Sequence, residues 1–235
     1  MKKIKRICVI LSCLILCSFA LGCGKKEIPN SVKLNNEIYK TGFYGDLKPC
    51  SSQNGFLGDL YGKSTDVWNC PQVKASGMEG YKVDYAEFSI LSLRHGMWQR
   101  VLYVQESEFL RAKEYYSSFE NFTYYIACGQ NTEYDKVYEI SATEEYDDYF
   151  NLLLRANHKN ARKNEEIALT DRVFYVYKIS KDGLLTSLRE EYYLINDKLY
   201  LFSYLDGKDD SFYTVEIEEE ISNYFVNIIK GKINE

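Results

Sequence analysis

His95 and His158 are the only imidazoles in this 235-residue chain. Any histidine-dependent acid–base chemistry near neutral pH has to use one of them. His158 sits among Asn157, Lys159 and Asn160, at the end of an expected helix. Interaction with terminal carbonyls accounts for it there. His95 lies between Arg94 and Gly96, beside Met97-Trp98, in an expected turn. Pairing it with Cys128 or a serine would require proximity that spacing alone does not supply. Asp206-Gly207-Lys208-Asp209-Asp210 clusters carboxylates, but it has neither the twelve-residue spacing nor the terminal Glu of a calcium loop. It reads as a solvated turn. Phosphate-cradling glycine loops, the zinc-protease helix and the serine-nucleophile elbow are all absent from the sequence. These residues predict no catalytic centre, no metal site and no cofactor.

The remaining candidates are thiols and aromatic rings. Of seven cysteines, Cys8, Cys13 and Cys17 precede Cys23, and Cys50, Cys70 and Cys128 follow it. Cys50 and Cys70 share a loop-rich segment and are the pair that an internal disulfide would join. Closing that loop would contribute roughly 3 kcal/mol in the chain-entropy model. Cys128 ends an apolar run and reads as a buried thiol. Spacing shows no Cys/His group suited to zinc. The chain holds 22 Tyr and 12 Phe, and most are expected to line strands. Tyr44, Tyr61, Trp68 and Trp98 fall in or next to loops, which makes them the candidate ligand-binding residues.

The first residues determine the address. Lys2, Lys3, Lys5 and Arg6 precede an uncharged stretch, Ile7 to Leu21, which ends in Ala20-Leu21-Gly22-Cys23. The basic start, short apolar run and small residues are the parts of a secretory signal. The uncharged stretch is shorter than the roughly 20 residues that span a bilayer. Here the chain resembles bacterial lipoproteins, whose signal ends in a lipobox closed by a cysteine. The resemblance implies diacylglyceryl transfer to the Cys23 thiol and cleavage after Gly22. The expected location is therefore the extracytoplasmic face of the cell membrane, with the lipid as the membrane contact. Ala20 departs from the commoner Leu, and the rival reading is an uncleaved N-terminal membrane helix. Buried methylenes contribute about 0.8 kcal/mol each, and two or more acyl chains hold a protein lastingly.

Removing residues 1–22 leaves 25 basic and 34 acidic residues, a net charge of −9. That balance argues against nucleic acid as the partner.

Residues 23–37 are polar and read as a tether, followed by a single α+β domain over 38–235. Its 38–80 segment is glycine-rich, and turns and short extended pieces are expected there. Strands are expected from Val83 to Leu91, over 99–105, over 121–128 and over 136–140. A helix is expected from Ser107, with Phe109, Leu110, Ala112, Lys113 and Tyr116 near one stripe. Ser141-Ala142-Thr143-Glu144 has the form of a capping box before a helix over 142–157. Asp147 and Asp148 are placed on the outer face of that helix. A four-strand antiparallel meander is expected over 171–217, with Val173, Tyr175, Tyr177 and Ile179 on one side of its first strand. A helix over 218–229 closes the domain, ended by Gly231. The pattern is α+β: an antiparallel sheet with about three packing helices. A ligand-binding or envelope-associated module is the favoured function. A hydrolase of envelope polymers is the alternative, and a structural partner in an assembly is a third class.

Overall fold

The computed structural model describes residues 27–44, 47–49, 70–84, 86–95, 99–130, 133–163, 173–187, 190–203 and 213–233. Residues 31–235 form one unit and residues 1–30 another. The larger unit is α+β and mostly antiparallel sheet. Its first strands are β1 (Ser31–Leu34), β2 (Glu37–Lys40), β3 (Lys48–Pro49), β4 (Gln72–Ala75), β5 (Met78–Val83), β6 (Ile90–His95) and β7 (Gln99–Gln105). Helix α1 (Phe109–Tyr115) leads to β8 (Phe122–Gln130) and β9 (Glu133–Ile140), and then to α2 (Glu144–Leu154). The chain continues through β10 (Arg162–Lys163), β11 (Val173–Ser180), β12 (Leu185–Thr186), β13 (Glu190–Ile195), β14 (Lys198–Ser203) and β15 (Tyr213–Glu216) to α3 (Glu219–Ile233). Among the described residues, no helix is long and apolar enough to cross a membrane.

The first sheet has the order β1-β2-β7-β6-β5-β4. It curls until its ends approach, and the Lys33 amide donates to Ser76 Oγ at 3.4 Å. A sheet that curls towards itself leaves less unpaired edge. Alternation sorts its side chains. Ile90, Leu102 and Val104 join the main core, whereas Leu91, Leu93, Val101 and Tyr103 point to the other face and are equally buried. Gly80 makes this curvature feasible. A Cβ built on it would lie 2.0 Å from the Ser92 carbonyl oxygen and 2.8 Å from Leu93 Cα. Only a residue without a side chain lets β5 lie so close to β6.

Residues 31–37 of the stretch read as a tether belong to the first hairpin. Each residue of Ser31–Leu34 pairs with one of Glu37–Lys40. Asn35 and Asn36 take φ values of 50° and 70° to turn the chain. Asparagine marks both loops and positive-φ hairpin turns, and here the pair forms a turn. Asn196 and Asp197 do the same between β13 and β14, with φ 48° and 62°.

The second sheet runs β10-β15-β14-β13-β11, with β8 on the far side of β11 and β9 outside β8. Phe174 and Val176 of β11 face the main core with Ile126 of β8, Tyr192 of β13 and Leu201 of β14. Tyr146, Phe150 and Leu153 of α2 and Ile221, Phe225 and Ile229 of α3 belong to the same core. Burial of each such side chain contributes about 1.5–3 kcal/mol. Val173, Tyr175 and Tyr177 form a separate buried cluster with Ala127 and Tyr193, and Ile179 packs against it. This is the one-sided grouping that alternation along β11 implies.

Local expectations needed four corrections. Thr143, not Ser141, caps α2: its Oγ1 accepts from the Tyr146 amide at 3.2 Å. α1 follows a short turn of 3₁₀ helix at Glu106–Glu108, and this rotates Leu110 out to 78% exposure while Ala112 and Tyr116 are buried. Gly231 does not stop α3, which continues to Ile233. A Cβ at Gly231 would meet nothing within 4 Å, so the position demands no glycine. His95 closes β6, opposite Gln99, instead of lying in the turn.

Candidate functional site

Lys178 is the one cation on the face of the central strand β11 that also carries Phe174, Val176 and Ser180. It follows Val176 on the helix-facing side and is only 8% exposed. A buried ammonium needs a partner. Asp147 of α2 supplies it, with Lys178 Nζ 2.7 Å from Asp147 Oδ1. The sequence placed Asp147 on the outer face of the helix. In the structure it lies next to the apolar stripe of Tyr146, Phe150 and Leu153 and is turned inward. Nζ also donates to Tyr124 OH at 3.3 Å, and the Tyr124 hydroxyl donates to Asp147 Oδ1. Asn151 Nδ2 donates to Asp147 Oδ2 at 3.0 Å. Three rings surround the ammonium: Phe122 at 4.8 Å, Tyr124 at 5.3 Å and Phe150 at 5.3 Å from Nζ to ring centroid. Such cation–π contacts strengthen when water is excluded.

A second buried phenol–carboxylate contact lies beyond the end of β11. Tyr116, just after α1, donates its hydroxyl to Asp182, and Ser180 Oγ donates to the other carboxylate oxygen at 2.6 Å. The amides of Leu184 and Leu185 close the turn on Ser180 Oγ at 3.1 and 2.9 Å. Asp182-Gly183 therefore does more than turn the chain, because it docks α1 onto the second sheet.

Tyr116 also belongs to an aromatic junction that includes Tyr44, the only one of the four candidate ligand-binding residues within the described set. Tyr44 packs edge-on against Phe43 at 5.1 Å, and Phe43 meets Tyr116 at 5.4 Å. Phe88 and Tyr115 extend the group, with Arg111 4.9 Å over the Phe88 ring. Tyr44 is thus half-buried in packing against the core. Tyr61, Trp68 and Trp98 lie outside the described residues, as do Cys23, Cys50 and the Asp206–Asp210 turn. The Cys50–Cys70 pairing falls there too. Cys70 is buried, with Sγ 3.8 Å from Asp84 Oδ1.

An open groove of ≈ 540 Å³ lies beside the Lys178 cluster. Phe119, Phe122 and Ile140 give it apolar walls, and Glu120, Glu139 and Lys181 give it charge. Phe122 connects the two features, since its ring lines the groove and also shields Lys178. A mixed groove of this size is large enough to take a small ligand. Among the described residues, no three His, Cys, Asp or Glu side chains are grouped to hold a metal.

Buried phenols give the molecule an alkaline limit. Burial, then Asp182, pushes the Tyr116 pKa far above its ordinary value, and burial, then Asp147, does the same to Tyr124. Burial raises Tyr146 and Tyr192, and Tyr103 is pushed up to about 12. The fold therefore favours the neutral phenol. The stabilisation is complete below pH of about 10, where unfolded tyrosine ionises, and is lost as pH rises towards the folded-state values. Melting temperature should hold at mildly alkaline pH and fall steeply above about pH 10. A flat melting temperature across that range would refute the assignment.

Compared with known proteins, the chain matches no family model, no curated protein and no solved structure.

Proposed function

We propose that this chain is a lipid-anchored lipoprotein on the extracytoplasmic face of the cell membrane, and that its folded body is a ligand-binding or envelope-associated module. The observation that carries the reading is Ala20-Leu21-Gly22-Cys23 at the end of an uncharged run with a basic start. The mixed groove beside Phe122 supports a binding role, since its apolar walls and charged side chains could hold a small ligand. In its finer detail the body is a meander of β11, β13, β14 and β15 backed by α2 and α3.

Cys23→Ser should abolish fatty-acid labelling and move the protein from the membrane fraction to the soluble or secreted fraction. Lasting attachment depends on the acyl chains. Equal labelling and unchanged membrane retention of the serine variant would sink the reading.

A further inference from the structure

The pair at the centre of the second sheet has the ingredients of a covalent bond. Lys178 offers a primary amine and Asp147 a carboxyl, 2.7 Å apart, with side chains 10% and 16% exposed. A nitrogen in contact with a carboxylate oxygen is held near its carbon, and reacting atoms in near-attack pairs lie about 3–3.5 Å apart. The rings of Phe122, Tyr124 and Phe150 keep the surroundings apolar. The hydrogen-bond donors around Asp147 are already in place: the Tyr124 hydroxyl on Oδ1 and Asn151 Nδ2 on Oδ2.

We propose that Lys178 and Asp147 condense to an intramolecular isopeptide bond, an Nζ–Cγ amide joining β11 to α2. The ammonium first gives a proton to Oδ1, the oxygen it touches. The freed Nζ lone pair then attacks Cγ and forms the C–N bond. Charge collects on Oδ2, where Asn151 Nδ2 donates. A second proton moves from Nζ to Oδ1, the Cγ–Oδ1 bond breaks, and water leaves. One amine and one acid give one amide and one water, and no oxidant or cofactor enters the balance. The product replaces two buried charges with one neutral group. It also ties the strand at the middle of the sheet to the helix that covers it, 31 residues away in sequence.

The test is peptide mapping of the full chain after denaturation. Trypsin cuts after Lys136, Arg155, Arg172 and Lys181, and it cannot cut after an acylated Lys178. The expected species is peptide 137–155 joined to peptide 173–181, lighter than their sum by one water. It should be absent from the Lys178→Arg variant, whose guanidinium does not condense. Recovery of peptide 173–178 and unmodified peptide 137–155 in full yield from folded wild-type protein would overturn the proposal. Detection in Lys178→Arg of 137–155 joined to a peptide from 173–181, at the mass expected after the Lys-to-Arg change, would overturn it as well. The wild-type measurement stands even if the variant fails to fold.

Discussion

Gly80→Ala should cost this protein about 3 kcal/mol or more, a loss large enough to lower expression of folded material. The new methyl would need the space held by the Ser92 carbonyl oxygen, 2.0 Å away, and would press on Leu93 Cα. Both are backbone atoms in β6, so no rotamer change relieves the clash. Relief requires β5 to lift from β6, which breaks the pairing of Gly80 with Leu93 and of Tyr81 with Ser92. For a domain of this length the shift in melting temperature should be on the order of 10 °C downward. Gly231→Ala is the matched control. It adds a methyl that meets nothing within 4 Å on a helix, and it should be neutral or slightly stabilising. Thermal melts of the two variants against wild type check the contrast, and equal losses would show that the close approach at Gly80 is not the cause.

Asp147→Ala should be comparably damaging for a different reason. Considered as an ion pair alone, the contact costs about 3–5 kcal/mol when one partner is removed, because the other charge stays buried and uncompensated. Lys178 would then be left among Phe122, Tyr124 and Phe150 with, among the described residues, only the Tyr124 oxygen to receive it. Removing both charges should be much milder. A double variant with Lys178→Met and Asp147→Leu should recover most of the loss, since it leaves no buried charge and fills similar volume. Denaturant midpoints for the two singles and the double complete the cycle. If the double variant were as unstable as the sum of the singles, the two residues would not be coupled.

What the sequence revealed depended on how far each signal reaches along the chain. Alternation in 173–180 placed Tyr175 and Tyr177 together correctly, because strand periodicity is local. The apolar stripes of α2 and α3 were legible for the same reason. Asn35-Asn36 was ambiguous, since its composition fits a flexible linker as well as a turn, and the backbone conformation decided between them. The Lys178–Asp147 contact was out of reach: it joins residues far apart in sequence and depends on which helix covers which strand. One trace of it was visible, a lysine on the strand face that also carries Phe174, Val176 and Ser180. Tyr116–Asp182 left no such trace, because an Asp-Gly pair already explains itself as a turn. Of the aromatic residues proposed for ligand binding, Tyr44 is half-buried and packs edge-on against Phe43.

The first sheet also constrains the order in which the molecule assembles. β2 lies between β1, its immediate neighbour in sequence, and β7, where Tyr39 faces Gln105 across 66 positions. The pairing of β4 with β5 and of β6 with β7 closes short loops and can form early, whereas docking of β2 on β7 requires a long loop to close first. The opening hairpin is therefore expected to join late in folding. Until it does, Tyr39 and Tyr103 remain in contact with water, and the β7 border of the growing sheet stays unpaired. Slowing that step, for instance by weakening the Asn35-Asn36 turn, would lengthen the interval in which the newly made chain is open to proteases and to aggregation.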